Sequence, residues 1–306
     1  MAGRFRAHTA PFRRLLPLLG LAALAALIPH GSAGRTASLL PASFVQAGAG
    51  PAGGTVWVGR IPDPALPGLR RSSIVYLPPH ASALARYPVL YLLQGFRGSP
   101  WQFASGLQLA TVADRAIASG TVRPFIAVAP PAGLTRKYDG EWAGAWESYV
   151  VQDVVPWVDT HLPTLRARSQ RALAGLSAGG FGAVDIGLRH PGLFETLESW
   201  SGYFRPLHDG PFRGAGSREL AAHNPSLLAR DDARLLRGIG TRFYLSSGST
   251  ADRKTAAAAV RFAGELDALR LPHVLYLRPG GHDSRFWRSQ LPEALRYALP
   301  TPRHAV

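Results

Sequence analysis

The sequence predicts a single α/β domain with a mainly parallel central sheet covered by helices on both faces and no large separate cap. Three observations lead there. Short apolar runs stopped by Gly or Pro alternate with stretches of helical periodicity from about residue 72 to residue 298. One such run, Arg171–Leu176, ends in Gly175-Leu176-Ser177-Ala178-Gly179 and passes at once into a helix-compatible stretch. The last run, His273–Leu277, is followed by Gly280-Gly281-His282-Asp283 and then a closing helix. Strands alternating with helices of this length build parallel sheets, because each crossover helix must pack back onto a face.

Residues 1–14 carry Arg4, Arg6, Arg13 and Arg14 with no acidic residue, and 15–28 are apolar apart from one Pro and one Gly. With the small residues Gly31-Ser32-Ala33 behind them, residues 1–33 read as a secretory signal rather than a spanning anchor, which needs roughly 20 apolar residues. Export through the general or the twin-arginine route follows. Residues 34–54 are Pro/Gly/Ala-rich without periodicity and read as a flexible linker, leaving 55–306 as the catalytic domain.

The runs 55–61 and 72–77 open the domain as an antiparallel pair. The continuous apolar run 87–93, halted at Gln94-Gly95-Phe96-Arg97-Gly98, is a buried parallel strand leading into a loop; 101–119 is helix and 123–130 another buried strand. The loop 131–144, with Tyr138 and Trp142, is long and aromatic enough to line a pocket. Trp146, Val150, Val154, Trp157 and Val158 then recur at helical spacing as a core face, and Pro156 predicts a break in that helix. After Ser177 come a helix, a strand at 194–200, an irregular basic excursion at 205–222, a strand at 241–248, a helix at 255–269, a strand at 273–277 and a helix at 284–298.

Composition narrows the chemistry. Cysteine is absent, so thiolate catalysis, disulfides and cysteine metal sites are excluded, and a nucleophile must be an oxygen. The net charge of +15 is almost wholly arginine, since Lys137 and Lys254 are the only lysines; losing the four arginines of 1–33 leaves +11. The arginines are scattered, without a run or a nucleic-acid motif. They read first as a composition bias and second as attraction to an anionic cell envelope, with no nucleic acid as partner. No phosphate loop or metal pattern competes, and the chemistry needs no cofactor.

A serine at its free pKa is a poor nucleophile and needs a base, itself oriented by a carboxylate. Ser177 on the sharp strand-to-helix turn is the candidate nucleophile. His282 lies past the last strand, at the same carboxyl edge of the sheet, and is the candidate base; His190, at the end of the helix after Ser177, is the weaker one. Asp252 follows the strand 241–248 and is the candidate acid. Its rival role is a helix N-cap, and Glu265 and Asp267 are the weaker acids, with Asp231 and Asp232 preceding the strand. The oxyanion donors are the backbone N–H groups of Ala178 and Phe96.

The segments 87–98 (YPVLYLLQGFRG), 147–158 (ESYVVQDVVPWV), 174–180 (AGLSAGG) and 280–287 (GGHDSRFW) resemble the branch of the α/β-hydrolases that contains esterase D, S-formylglutathione hydrolase and the secreted mycolyltransferases. The resemblance spans about residues 55 to 300. It implies an α/β-hydrolase fold and an ester-cleaving serine enzyme acting through Ser177, His282 and an acid at or near Asp252, with acyl transfer to a sugar or glycerol hydroxyl, or a non-catalytic exported binding protein, as alternatives. It also implies oxyanion donors at Phe96 and Ala178. Gln94 departs from the His that many esterases carry there, and Arg97 matches a sugar-contacting arginine of the mycolyltransferases. Arg97, together with Trp142 and Tyr203 from neighbouring loops, is a candidate contact for a small-molecule or lipid/sugar ester substrate.

Overall fold

The computed structural model describes residues 39–301, except 67, 69–70 and 134–140. The signal sequence expected at 1–33, Lys137 and Tyr138 lie outside the described residues. Nine strands form one sheet in the order β1-β2-β3-β5-β4-β6-β7-β8-β9. β1 (Val45–Ala49), β2 (Thr55–Gly59) and β3 (Ser73–Leu77) are antiparallel, and β3 joins β5 (Ile126–Ala129) antiparallel. β4 (Val89–Leu93), β5, β6 (Arg171–Leu176), β7 (Thr196–Trp200), β8 (Arg242–Gly248) and β9 (His273–Arg278) pair in parallel.

The alternation of side chains along the central strands divides the core into two. Val89, Tyr91 and Leu93 of β4 join Leu173 of β6 on one face, under α3 (Val155–His161), α4 (Ala178–Arg189) and α8 (Arg253–Ala268). Leu90 and Leu92 join Ala172, Ala174 and Leu176 on the other, under α1 (Leu109–Ala118) and α9 (Ser284–Ala298). Both faces are therefore covered, which is why these strands read as unbroken apolar runs.

The expected helix at 101–119 is broken. A π-helical turn at Gln102–Gly106 is followed by Gln108 at φ 54°, and only then does α1 begin. The break expected at Pro156 takes a specific form. After α2 (Ala145–Ser148) the chain widens to a π-helix over Tyr149–Val154, and Pro156 stands in the first turn of α3. Proline has no N–H to continue the α-helical ladder, so the register changes ahead of it. Val150, Val154 and Val158 are fully buried, as their spacing predicts. Between β7 and β8 the basic excursion at 205–222 ends in a short helix, α5 (Ser217–Ala222), and two more, α6 (Pro225–Asp231) and α7 (Ala233–Gly238), follow it.

Residues 34–54, expected to be a flexible linker, contain a strand. β1 and the turn behind it are held by the buried carboxylate of Asp114 on α1, which accepts from the N–H of Ala52 (2.8 Å), the N–H of Gly54 (3.1 Å) and the hydroxyl of Tyr76 (2.8 Å). A Cβ at Gly50 or Gly54 would collide with that carboxylate. The small residues that look like linker composition are required by this close approach.

Candidate active site

Ser177 joins β6 to α4 at φ 54°, ψ −116°, a conformation a non-glycine residue adopts only when its surroundings enforce it. Two glycines allow it. A methyl group at Gly175 would run into the carbonyl of Gly179, and one at Gly179 into that of Leu93 on the neighbouring strand. The Ser177 N–H is bound to the carbonyl of Trp200 on β7 at 2.9 Å. The hydroxyl is thus carried at the carboxyl end of the parallel strands on a fixed turn.

Asp252 and His282 meet at this edge, with His282 Nδ1 3.0 Å from Asp252 Oδ2. Their loops are stitched together: the Thr250 hydroxyl donates to the carbonyl of Gly280 (2.9 Å) and accepts from its N–H (3.0 Å), and the Ala251 N–H reaches the same carbonyl (3.0 Å). Asp252 occupies the N-cap position of α8, yet its side chain caps nothing; it faces His282 and accepts from Ser247 Oγ at 3.3 Å. Its neighbour Asp283 does cap α9, accepting from the N–H groups of Arg285 and Phe286. Asp252 is 7% exposed and His282 38% exposed, so the carboxylate is shielded while the imidazole remains accessible. The edge of Trp287 packs on the His282 ring at 5.0 Å, and its indole N–H donates to Ser201 Oγ at 3.0 Å.

The loop after β4 lies against the elbow, since a Cβ at Gly95 would stand 3.2 Å from Cβ of Ser177. Ala178 opens α4, where an N–H has no partner within the helix. Among the described residues no acceptor takes the Phe96 N–H. The loop is fixed from behind by Gln94, whose side-chain amide donates to the Gly98 carbonyl at 2.8 Å.

The candidate substrate contacts separate. Tyr203 stacks on Phe181 at 5.0 Å and lines a cavity of about 420 Å³ that opens from Ser177. Arg97 lies outside that cavity, folded over the exposed ring of Phe96 at 5.0 Å. Trp142 is corrected. It is 1% exposed, packed on Gly182, and donates its indole N–H to the carbonyl of Gln94 at 2.9 Å, so it supports the loop and cannot touch a ligand.

The weaker catalytic candidates are accounted for elsewhere. His190 sits at the far end of α4, 2.7 Å from Glu147. Burial raises the Glu147 carboxyl, but hydrogen bonds from His190 and Arg189 outweigh it and hold the group below its ordinary value. Glu265 lines the far part of the cavity and pairs with Arg205 at 3.7 Å, while Asp267 is exposed beside His273. Asp232 precedes α7 and makes no side-chain cap.

The sequence does not reveal a third carboxylate–histidine pair, Asp185 on α4 with His223 at 2.7 Å, covered by Phe212. Burial raises the Asp185 carboxyl and contact with His223 partly offsets this. Asp185 lies within the helix that follows the elbow, and no motif marks it. Nor does the sequence reveal the far wall of the cavity, where Phe204 stacks on Phe262 of α8 at 4.1 Å.

Fold and elbow together define an α/β-hydrolase. The chain belongs to the Esterase family, whose model matches residues 66–298. It is 32% identical over 132 residues to an endo-1,4-beta-xylanase/feruloyl esterase of Xylanibacter ruminicola; the match covers 42% of this chain but only 17% of that protein's length. In structure it is similar to a ferulic acid esterase (TM-score 0.69, 22% identity, 80% of this chain and 98% of that one). It is likewise similar to an S-formylglutathione hydrolase from Agrobacterium tumefaciens (TM-score 0.64, 18% identity, 83% and 97%). At such identities the likeness is one of fold.

Proposed function

We propose that the chain is a serine hydrolase of carboxylic esters, with Ser177 as nucleophile, His282 as general base and Asp252 as the acid that orients it. The observation that carries this reading is the Asp252–His282 contact at the sheet edge that also bears Ser177 on its strained turn. In the proposed reaction His282 Nε2 takes the Ser177 proton as Oγ attacks the ester carbonyl. The N–H groups of Phe96 and Ala178 stabilise the oxyanion, and the protonated imidazole returns the proton to the departing alcohol. Water, deprotonated by His282, then releases the acid from the acyl-enzyme. Asp252 accepts from His282 Nδ1–H and so fixes the tautomer, a role that their 3.0 Å contact and the Ser247 hydroxyl behind the carboxylate support.

A fluorophosphonate probe tests this directly. Wild-type protein is expected to be labelled and to hydrolyse aryl esters, and Ser177→Ala to do neither. A folded wild-type chain that resists the probe sinks the reading in favour of a binding protein. Adding trehalose or glycerol to the same reaction separates hydrolysis from acyl transfer, because a transferase makes a new ester at the expense of free acid.

Export belongs to the proposal as well, supported by the basic segment and short apolar run of 1–33. Recovery from the medium of a chain starting near residue 34 is the expected outcome.

A further inference from the structure

The cavity beside Ser177 has an unusual wall. Its floor is apolar, built on the Phe204–Phe262 stack, but α8 turns Lys254, Ala258, Arg261 and Glu265 towards it as one stripe at i, i+4, i+7 and i+11. Glu265 is engaged by Arg205 from the excursion at 3.7 Å. Lys254 and Arg261 are exposed, and among the described residues neither forms an ion pair or hydrogen bond.

Composition bias accounts for arginine in this chain but not for Lys254, one of two lysines against 32 arginines. Lys254 also stands in the first turn of α8, which has no acidic residue. A cation there opposes the helix macrodipole, so the position gains nothing from helix stability. Two unpaired cations on the wall of an apolar cavity attract a negative charge, and an arginine fork suits a carboxylate in particular.

We propose that this cavity selects esters whose inserted part is an apolar body ending in a carboxylate, bound by Lys254 and Arg261. The proposal rests on Ser177 being the nucleophile. The two side chains leave α8 about 10 Å apart, so the charged end can meet Lys254 close to the Asp252 end of α8 or Arg261 two turns further along it.

Matched ester pairs test it. On the acyl side, the 4-nitrophenyl ester of pentanoate is compared with the mono-4-nitrophenyl ester of glutarate. On the alcohol side, the butyrate ester of 4-hydroxybenzamide is compared with that of 4-hydroxybenzoate. In one of the two series kcat/KM is expected to favour the anionic member by about 5- to 25-fold at low ionic strength, corresponding to roughly fivefold per cation. The preferred series identifies which side of the ester occupies the cavity. The preference should disappear in the double variant Lys254→Gln, Arg261→Gln and shrink in high salt. It should persist when Arg230 and Arg234 are both changed to Gln, which removes two charges from exposed sites on α6 and α7 outside the cavity.

Equal kcat/KM within both pairs, with Ser177 still labelled by the probe, overturns the inference and leaves the hydrolase reading intact. A preference that survives the double variant also overturns it, because the attraction is then the general field of a basic protein. If neither pair is turned over, protection of Ser177 from the probe by glutarate monoanilide but not by pentananilide supports the inference, and equal protection, or none, overturns it. A wild-type chain without labelling removes both readings.

Discussion

The indole N–H of Trp142 donates to the main-chain carbonyl of Gln94 at 2.9 Å, from a ring buried against Gly182 of α4, the helix that follows Ser177. One side chain therefore ties α4 to the loop that carries the Phe96 N–H. That loop and the elbow are positioned as a unit, with Gln94 itself clamping Gly98 from the inside.

Trp142→Phe keeps most of the ring and removes the donor. With the Gln94 carbonyl left buried and unpaired, we expect a loss of about 1–3 kcal/mol in urea denaturation. Steady-state kinetics should show kcat falling more than KM rises, because the role proposed for the Phe96 N–H is to meet charge that develops in the transition state. Wild-type stability in this variant would mean that the contact holds nothing.

Asp252→Asn should lower kcat by about 10³- to 10⁴-fold while leaving the thermal transition close to wild type, since an amide cannot hold the imidazole in its working tautomer. Asp267→Asn, on the exposed face of the same helix, should leave kcat unchanged. The reverse ranking would assign the acid to another carboxylate.

Ser247 Oγ lies between Asp252 Oδ2 at 3.3 Å and Thr255 Oγ1 at 2.8 Å, buried at the end of β8. Ser247→Ala removes a hydrogen bond to a charged group, a contribution of about 1.5–3 kcal/mol at most. We expect kcat to drop about tenfold at unchanged KM; a change confined to KM would place Ser247 in substrate binding instead.

Glu147 gives an acid-stability prediction. Its carboxyl is held below the ordinary value in the folded chain, so the folded state binds its proton less readily than the unfolded state does. Its stabilising effect is complete above the unfolded value of about 4.3 and is lost as pH falls through the lower folded one. Glu147→Gln should lower Tm at pH 7 and should lose less Tm than wild type on acidification below pH 4.5. Parallel Tm–pH curves for the two proteins would dismiss the linkage.

The central strands of the parallel sheet were legible because burial on both faces leaves them almost wholly apolar, as in Val89–Leu93 and Arg171–Leu176. β1 was not, because what holds it is Asp114, more than sixty residues away, and the glycines that admit that carboxylate mimic a linker. The interruption of the helix near Gln108 was equally hidden, because a lone glycine such as Gly106 is tolerated inside a helical pattern and does not by itself announce a break.

The sequence by itself determined the order of the elements, the elbow at Ser177 and the loops that carry Asp252 and His282, because turn chemistry and hydrophobic period are local properties written residue by residue. Only the tertiary structure decided that Asp252 faces His282 instead of capping α8, that Trp142 supports Gln94 instead of a ligand, and that α8 lends two cations to the cavity. Each of these depends on which distant side chain or backbone group lies within about 4 Å, and that distance is fixed by the packing of the two core layers against the sheet.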